Sequence, residues 1–264
     1  IDLEEVVPAP PTPPVPTKRQ LTSTDINYVG SFKVPRLQSS NYMTFAYGGW
    51  VAAYKNNSLF LSSHVYSNNI AEISIPTPLN GLVEDLPIAS LIQSFGDVTE
   101  GKMYQVPNVR LGGLLVDNNK LLWSIYTFYD ADGTTLVSHG DSSLNISAPS
   151  SRGVFQLQAP QAGYVAGYMI HVPTDWQDRL KRVIGGQSGL SVVSRTSTGP
   201  AAFGFNPDDF GQAIVPTESY CYYPSQVDKQ FSDGWLRSVC VRGGAFVSDT
   251  EKYGVMFVGS RAKG

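Results

Sequence analysis

Cysteine, histidine and charge are all scarce in this chain of 264 residues, and each scarcity weakens the case for one class of function. There are two cysteines and no CxxC, so neither a zinc-ribbon nor a dithiol redox motif is supported. The three histidines show no HExxH or HxE spacing, and no cofactor is expected. Charged residues make up 16% of the chain, against about 25% in an average domain. The net charge of −3 provides no basic field for nucleic acid. No apolar run approaches the roughly 18 residues of a membrane span, and nothing at the N-terminus reads as a cleavable leader. A serine nucleophile elbow is missing too. Ser188 lies in Gly186-Gln187-Ser188-Gly189-Leu190, with Leu190 where the elbow needs glycine, so the segment reads as a helix stop and turn.

What is plentiful points to β-structure. Hydrophobic residues reach 42%, enough for a substantial core, with 25 glycines, 18 prolines, 14 tyrosines and 12 phenylalanines. The chain divides into residues 1–20 and 21–264. In the first region Pro8, Pro10, Pro11, Pro13, Pro14 and Pro16 dictate an extended polyproline II arm. Such an arm is either a stiff linker or a docking segment that lies along another subunit.

From Leu21 onward short strands are punctuated by Gly, Pro, Asn and Asp. Residues 28–34, 58–65 and 70–75 read as strands, and 120–129 with 134–139 as a hairpin across Asp130-Ala131-Asp132-Gly133. One short helix is predicted. Thr174 and Gln177 have capping-box spacing, Trp176, Leu180 and Val183 form an apolar stripe, and Gly185-Gly186 is the stop. The basic residues Arg179, Lys181 and Arg182 then form its solvated face.

A loose unit recurs. Gly48-Gly49-Trp50-Val51, Gly112-Gly113-Leu114-Leu115 and Gly243-Gly244-Ala245-Phe246 are each followed by a turn and an apolar strand. Gly199–Phe205 is a degenerate fourth copy. Paired glycines suit an inner strand where backbones crowd, which is the logic of a propeller blade. The expected fold is therefore all-β and propeller-like, with about five blades, one short helix and the extended arm. A β-sandwich with long loops is the alternative. The third unit stops after its second strand, so that blade is expected to be completed by the strand near Tyr28, by a partner chain or by further residues.

The runs Thr44–Gly49, Ala71–Pro76 and Ser194–Phe203 resemble a group of uncharacterised propeller-like proteins from bacterial, phage and environmental sequences. The resemblance spans residues 21–264. It implies the propeller-like fold and carries no activity with it.

Candidate chemistry is sparse. His64, His139 and His171 would be the ligands if a metal sat over a central channel, but nothing in their spacing requires one, and the reading adopted is three separate hydrogen-bonded histidines. Glu72, Asp97 and Glu100 are the carboxylates from which a glycoside hydrolase would draw its acid and base, with Asp25 near the first strand. Tyr220, Tyr222, Tyr223 and Trp235 are candidate rings for stacking on a sugar or a protein surface. Cys221 and Cys240 are expected on adjacent strands, either as buried thiols or as a disulfide worth roughly 3 kcal/mol. The leading expectation is a non-catalytic structural or binding module of an extracellular assembly (a virion, an appendage or a cell surface). It would join other protein subunits through its arm, belong to an oligomer or larger assembly, and recognise either a partner or a glycan through its loop faces. A secreted carbohydrate-active enzyme is the alternative.

Overall fold

A computed structural model describes residues 23–37, 41–158, 162–187, 199–223, 240–248 and 253–260. The described residues are mostly β and form four antiparallel sheets. The first sheet runs β1 (Ala52–Lys55), β2 (Ser58–Ser62), β3 (Ile70–Ser74) and β4 (Leu91–Gly96), each strand beside the next in chain order. The second repeats the meander with β5 (Val109–Asp117), β6 (Lys120–Thr127), β7 (Val137–Ser143) and β8 (Gly153–Gln156). The third does so again with β9 (Met169–His171), β10 (Val183–Gly185), β11 (Gly199–Phe205) and β12 (Thr217–Tyr223). The hairpin β13 (Cys240–Ser248) and β14 (Tyr253–Ser260) makes the fourth. No closed barrel or propeller ring is formed among these residues.

The meanders follow from local chemistry. Asn56-Asn57 and Asn118-Asn119 take positive φ at both turn residues, closing Lys55 on Ser58 and Asp117 on Lys120 as two-residue hairpins. At the far end of β6, Asp130 accepts the backbone N–H groups of Thr134 and Thr135 at 3.0 and 3.1 Å, holding the predicted turn.

The first strands are neighbours: β5 touches both β1 and β9, and β13 packs on β9. Here the glycine pairs find their reason. A Cβ on Gly112 would stand 1.7 Å from the carbonyl oxygen of Ala166, and one on Gly113 2.1 Å from that of Gly167. The ladders of β5 and β13 both carry a bulge beside the pair.

The sheets pack face to face. Phe60, Ile70, Leu111, Leu121, Trp123 and Ile125 fill the space between the first and second sheets. Leu122, Val183, Phe203 and Phe205 fill that between the second and third. Trp123 and Leu122 are adjacent in sequence and belong to opposite cores, so β6 is buried on both faces along nearly its whole length. Tyr168, Ile170 and Ile184 form a third cluster with Val241, Phe246 and Val255 of the hairpin.

Three expectations are corrected. The segment Thr174–Gly185 is not a helix: it holds a 3-10 turn at Thr174–Trp176 and then strand β10. Val183 and Ile184 are β-branched and pair with β9 and β11, so sheet formation outweighs the helical spacing. The only α-helix among the described residues is the four-residue α1 (Ala162–Val165). The degenerate fourth copy does not begin a unit at Gly199, which opens the third strand of the third sheet; Ala166-Gly167 precede that sheet's first strand. Residues 28–34 form isolated bridges from Ser31 to Leu79 and Lys33 to Ile88, beside the first sheet rather than against the hairpin β13–β14.

Candidate functional site

The carboxylates nominated for hydrolysis are occupied by the chain itself. Glu72 is buried in β3 and accepts hydrogen bonds from Ser58 Oγ and Gln93 Nε2, both at 2.6 Å. Gln93 also joins Leu144 and Ile146 of the second sheet, so this trio fastens two sheets together. Asp97 accepts the N–H groups of Thr99 and Gly101 and the Thr99 hydroxyl, which shapes the loop ahead of β5. Glu100 accepts the Ser151 N–H at 2.7 Å and pairs with Lys102 at 3.0 Å; these contacts hold its carboxyl below the usual range. Asp25 lies in a short 3-10 turn at Ser23–Asp25.

The three histidines are not brought together. His64 follows β2 at one end of the first sheet. His139 is fully buried in β7, edge-on to Phe205, and burial pulls its pKa down to about 3. His171 closes β9 and sits 3.0 Å from Asp117. Among the described residues no cluster of three metal-ligating side chains occurs.

Tyr220 is half-buried, and its hydroxyl accepts the Lys181 N–H at 2.8 Å. Tyr222 is exposed. The side chain of Tyr223, Trp235, Ser188 and the proline segment 1–20 lie outside the described residues. Cys221 and Cys240 are not joined in a disulfide and lie on strands of different sheets, the former exposed and the latter buried. The expected adjacent-strand placement does not hold, because β12 and β13 belong to separate sheets.

A cavity of about 260 Å³ lies where the turn end of the second sheet meets the third. Asp117 accepts from His171 and from Arg182 Nε at 3.1 Å, and Arg182 also clamps Asp208. Arg152 grips Asp141 through two nitrogens at 2.5 to 2.9 Å and donates to the carbonyls of Pro207 and Phe210. Hydrogen bonding to Asp208 and Asp141 raises both guanidinium pKa values, and Arg182 lowers that of Asp208. Arg182 is thus a mostly buried ion-pair partner and not part of a solvated helix face. These charges satisfy one another, so the network joins two sheets and leaves little free bonding capacity for a ligand.

The opposite end of the first two sheets is different. Tyr42 and Tyr47 from the loop before β1, and His64 and Tyr66 from the β2–β3 turn, bring their rings together there. The His64 ring lies 4.8 Å from Tyr42, 5.8 Å from Tyr47 and 5.1 Å from Tyr66. All three tyrosines are exposed, Tyr47 to 89% and Tyr66 to 65%. The Tyr66 N–H donates to His64 Nδ1 at 3.2 Å, so the neutral imidazole carries its proton on Nε2. Arg110 at the start of β5 lies over the rings of Tyr66 and Phe128, with its guanidinium carbon 5.5 and 5.4 Å from their centroids. The sequence reading missed this platform. Its only local signal is a run of aromatics placed just outside strand ends, where core packing does not need them.

Compared with protein-family models, curated proteins and solved structures, the chain finds no match.

Proposed function

We propose that this chain is a propeller-like, non-catalytic recognition module of an extracellular assembly, and that it engages a saccharide through the exposed ring platform of Tyr42, Tyr47, His64 and Tyr66. Three successive meanders whose first strands are neighbours support the propeller-like reading. The observation that carries the recognition role is the platform itself: exposed rings at a loop end, around a side chain with a free donor. Aromatic faces stack on the apolar faces of sugars while hydroxyl and imidazole groups hydrogen-bond at their edges. The non-catalytic part draws on Glu72, Asp97 and Glu100, each engaged in hydrogen bonds by its own chain. In this reading the proline-rich residues 1–20 supply the tether to neighbouring subunits.

A glycan array probed with the full chain tests the recognition role. Binding to at least one saccharide class, reduced about tenfold by Tyr47→Ala or Tyr66→Ala, is expected; no saccharide binding at all overturns it. The tether is tested by deleting residues 1–20. Loss of association with neighbouring subunits is expected, and an unchanged assembly removes the arm from the reading.

A further inference from the structure

Arg110 separates this platform from a purely apolar one. It stands directly opposite Tyr126 across the β5–β6 ladder, which puts both side chains on the same face of the sheet. One guanidinium nitrogen donates to the Val109 carbonyl at 2.8 Å, while Nε is buried and has no partner. The neighbouring Tyr126 hydroxyl is also buried without a partner, and it senses the charges of both Arg110 and Arg242 of β13. Among the described residues no carboxylate pairs with Arg110 or Arg242, whereas Arg152 and Arg182 are matched by Asp141, Asp117 and Asp208. In a chain of net charge −3, Tyr126 therefore lies within reach of two guanidiniums that no carboxylate neutralises among the described residues.

We infer that the ligand of the platform is an acidic saccharide, a uronic- or sialic-acid-containing chain whose carboxylate sits on Arg110 while its ring stacks on the neighbouring tyrosines. The inference rests on the saccharide reading above. Rings beside the faces of a guanidinium leave its N–H edge as the donor surface, and a planar donor edge matches a carboxylate in a two-point contact. Arg242 adds a second positive charge from the hairpin. Together these favour acidic over neutral sugars, because a carboxylate accepts from a guanidinium more strongly than a sugar hydroxyl does.

Calorimetric titration of the full chain with tetragalacturonate and with its carboxyl-reduced neutral counterpart tests this, alongside sialyllactose against lactose. At least one acid is expected to bind about tenfold tighter than its neutral partner. The preference should weaken as salt rises and vanish in Arg110→Gln. Arg242→Gln, at an exposed position, should reduce it without disturbing the fold, which a thermal melt checks for both variants. Tyr66→Ala should weaken acid and neutral ligands alike. Equal binding of acid and neutral sugars overturns the acid inference and leaves the saccharide platform standing. Failure of both acids to bind also overturns it, while the glycan array decides the broader reading separately.

Discussion

The backbones of Gly113 and Gly167 meet where β5 passes the start of β9, and a methyl group on Gly113 would lie 2.1 Å from the Gly167 carbonyl oxygen. That contact sets how closely the second and third sheets approach. Ser124 reinforces it by donating to the same carbonyl at 3.0 Å.

Gly113→Ala is therefore expected to be destabilising, because the obstacle is backbone and cannot rotate away. A loss of about 1–3 kcal/mol is the range for overpacking in a tight interior. Urea denaturation followed by intrinsic fluorescence measures it. Gly211→Ala is a contrasting case: nothing lies within 4 Å of its Cβ position, and only its φ of +114° opposes the change. A Gly113→Ala protein as stable as the parent would mean the first strands do not crowd.

Glu72 should behave as a fastener. Glu72→Ala removes the buried acceptor that Ser58 and Gln93 share and leaves them only the Lys55 and Leu144 carbonyls, at a cost of about 1–3 kcal/mol. The denaturation midpoint should fall while saccharide binding per folded molecule stays unchanged. A variant of unaltered stability that loses activity on a glycoside would instead make Glu72 a catalyst.

His139 predicts a pH dependence whose sign follows from burial. Its folded pKa of about 3 lies below the ordinary histidine value of 6.5, so the unfolded chain takes up a proton that the folded chain refuses. Its contribution to stability is complete above about pH 6.5 and is lost as pH falls toward 3, with a slope of up to about 1.4 kcal/mol per pH unit. His139→Phe, which keeps a ring against Phe205, should flatten the stability profile between pH 6 and 4 relative to the parent. Parallel profiles would show that His139 does not titrate in this way.

The Arg152–Asp141 pair is asymmetric: the carboxylate side chain is 1% exposed and the guanidinium 38%. Arg152→Met should cost about 2 kcal/mol, below the figure for a fully buried pair because water already reaches the cation. Changing Asp141 to Asn in the same background should recover part of the loss, since it removes the stranded charge. A double-mutant cycle from thermal melts reads both effects.

The thiols should separate by rate. Cys221 is exposed, while burial raises the pKa of Cys240, so a thiol reagent is expected to label Cys221 quickly and Cys240 only after unfolding. Mass spectrometry of the native protein after brief labelling distinguishes the two. Rapid modification of both would contradict the burial of Cys240.

Sequence by itself determined the features that depend on a few adjacent residues. Asn56-Asn57 and Asn118-Asn119 tolerate positive φ, so those hairpins form wherever their strands find a sheet. The strands within 58–65 and 70–75 follow from period-two alternation, and the glycine pairs at 112 and 243 mark first strands, where a Cβ on Gly112, Gly113 or Gly244 would meet neighbouring atoms. Tertiary structure decided the rest. Val183 ends a helical stripe yet enters a sheet with Ile184, because pairing with His171 and Ile170 on one side and with Phe205 and Gly204 on the other satisfies their backbone groups, and both side chains are buried. Ala166-Gly167 escaped notice as a unit start because alanine replaces one glycine and β9 spans just three residues. The ring platform and the Asp117–Arg182 pair were illegible for a common reason. Tyr42, Tyr66, Arg110 and Phe128 are distant in the chain, as are Asp117 and Arg182, and only the stacking of one meander on the next makes them neighbours. Backbone preference acts over a few residues, whereas a binding surface is assembled from side chains whose proximity is set by long-range packing.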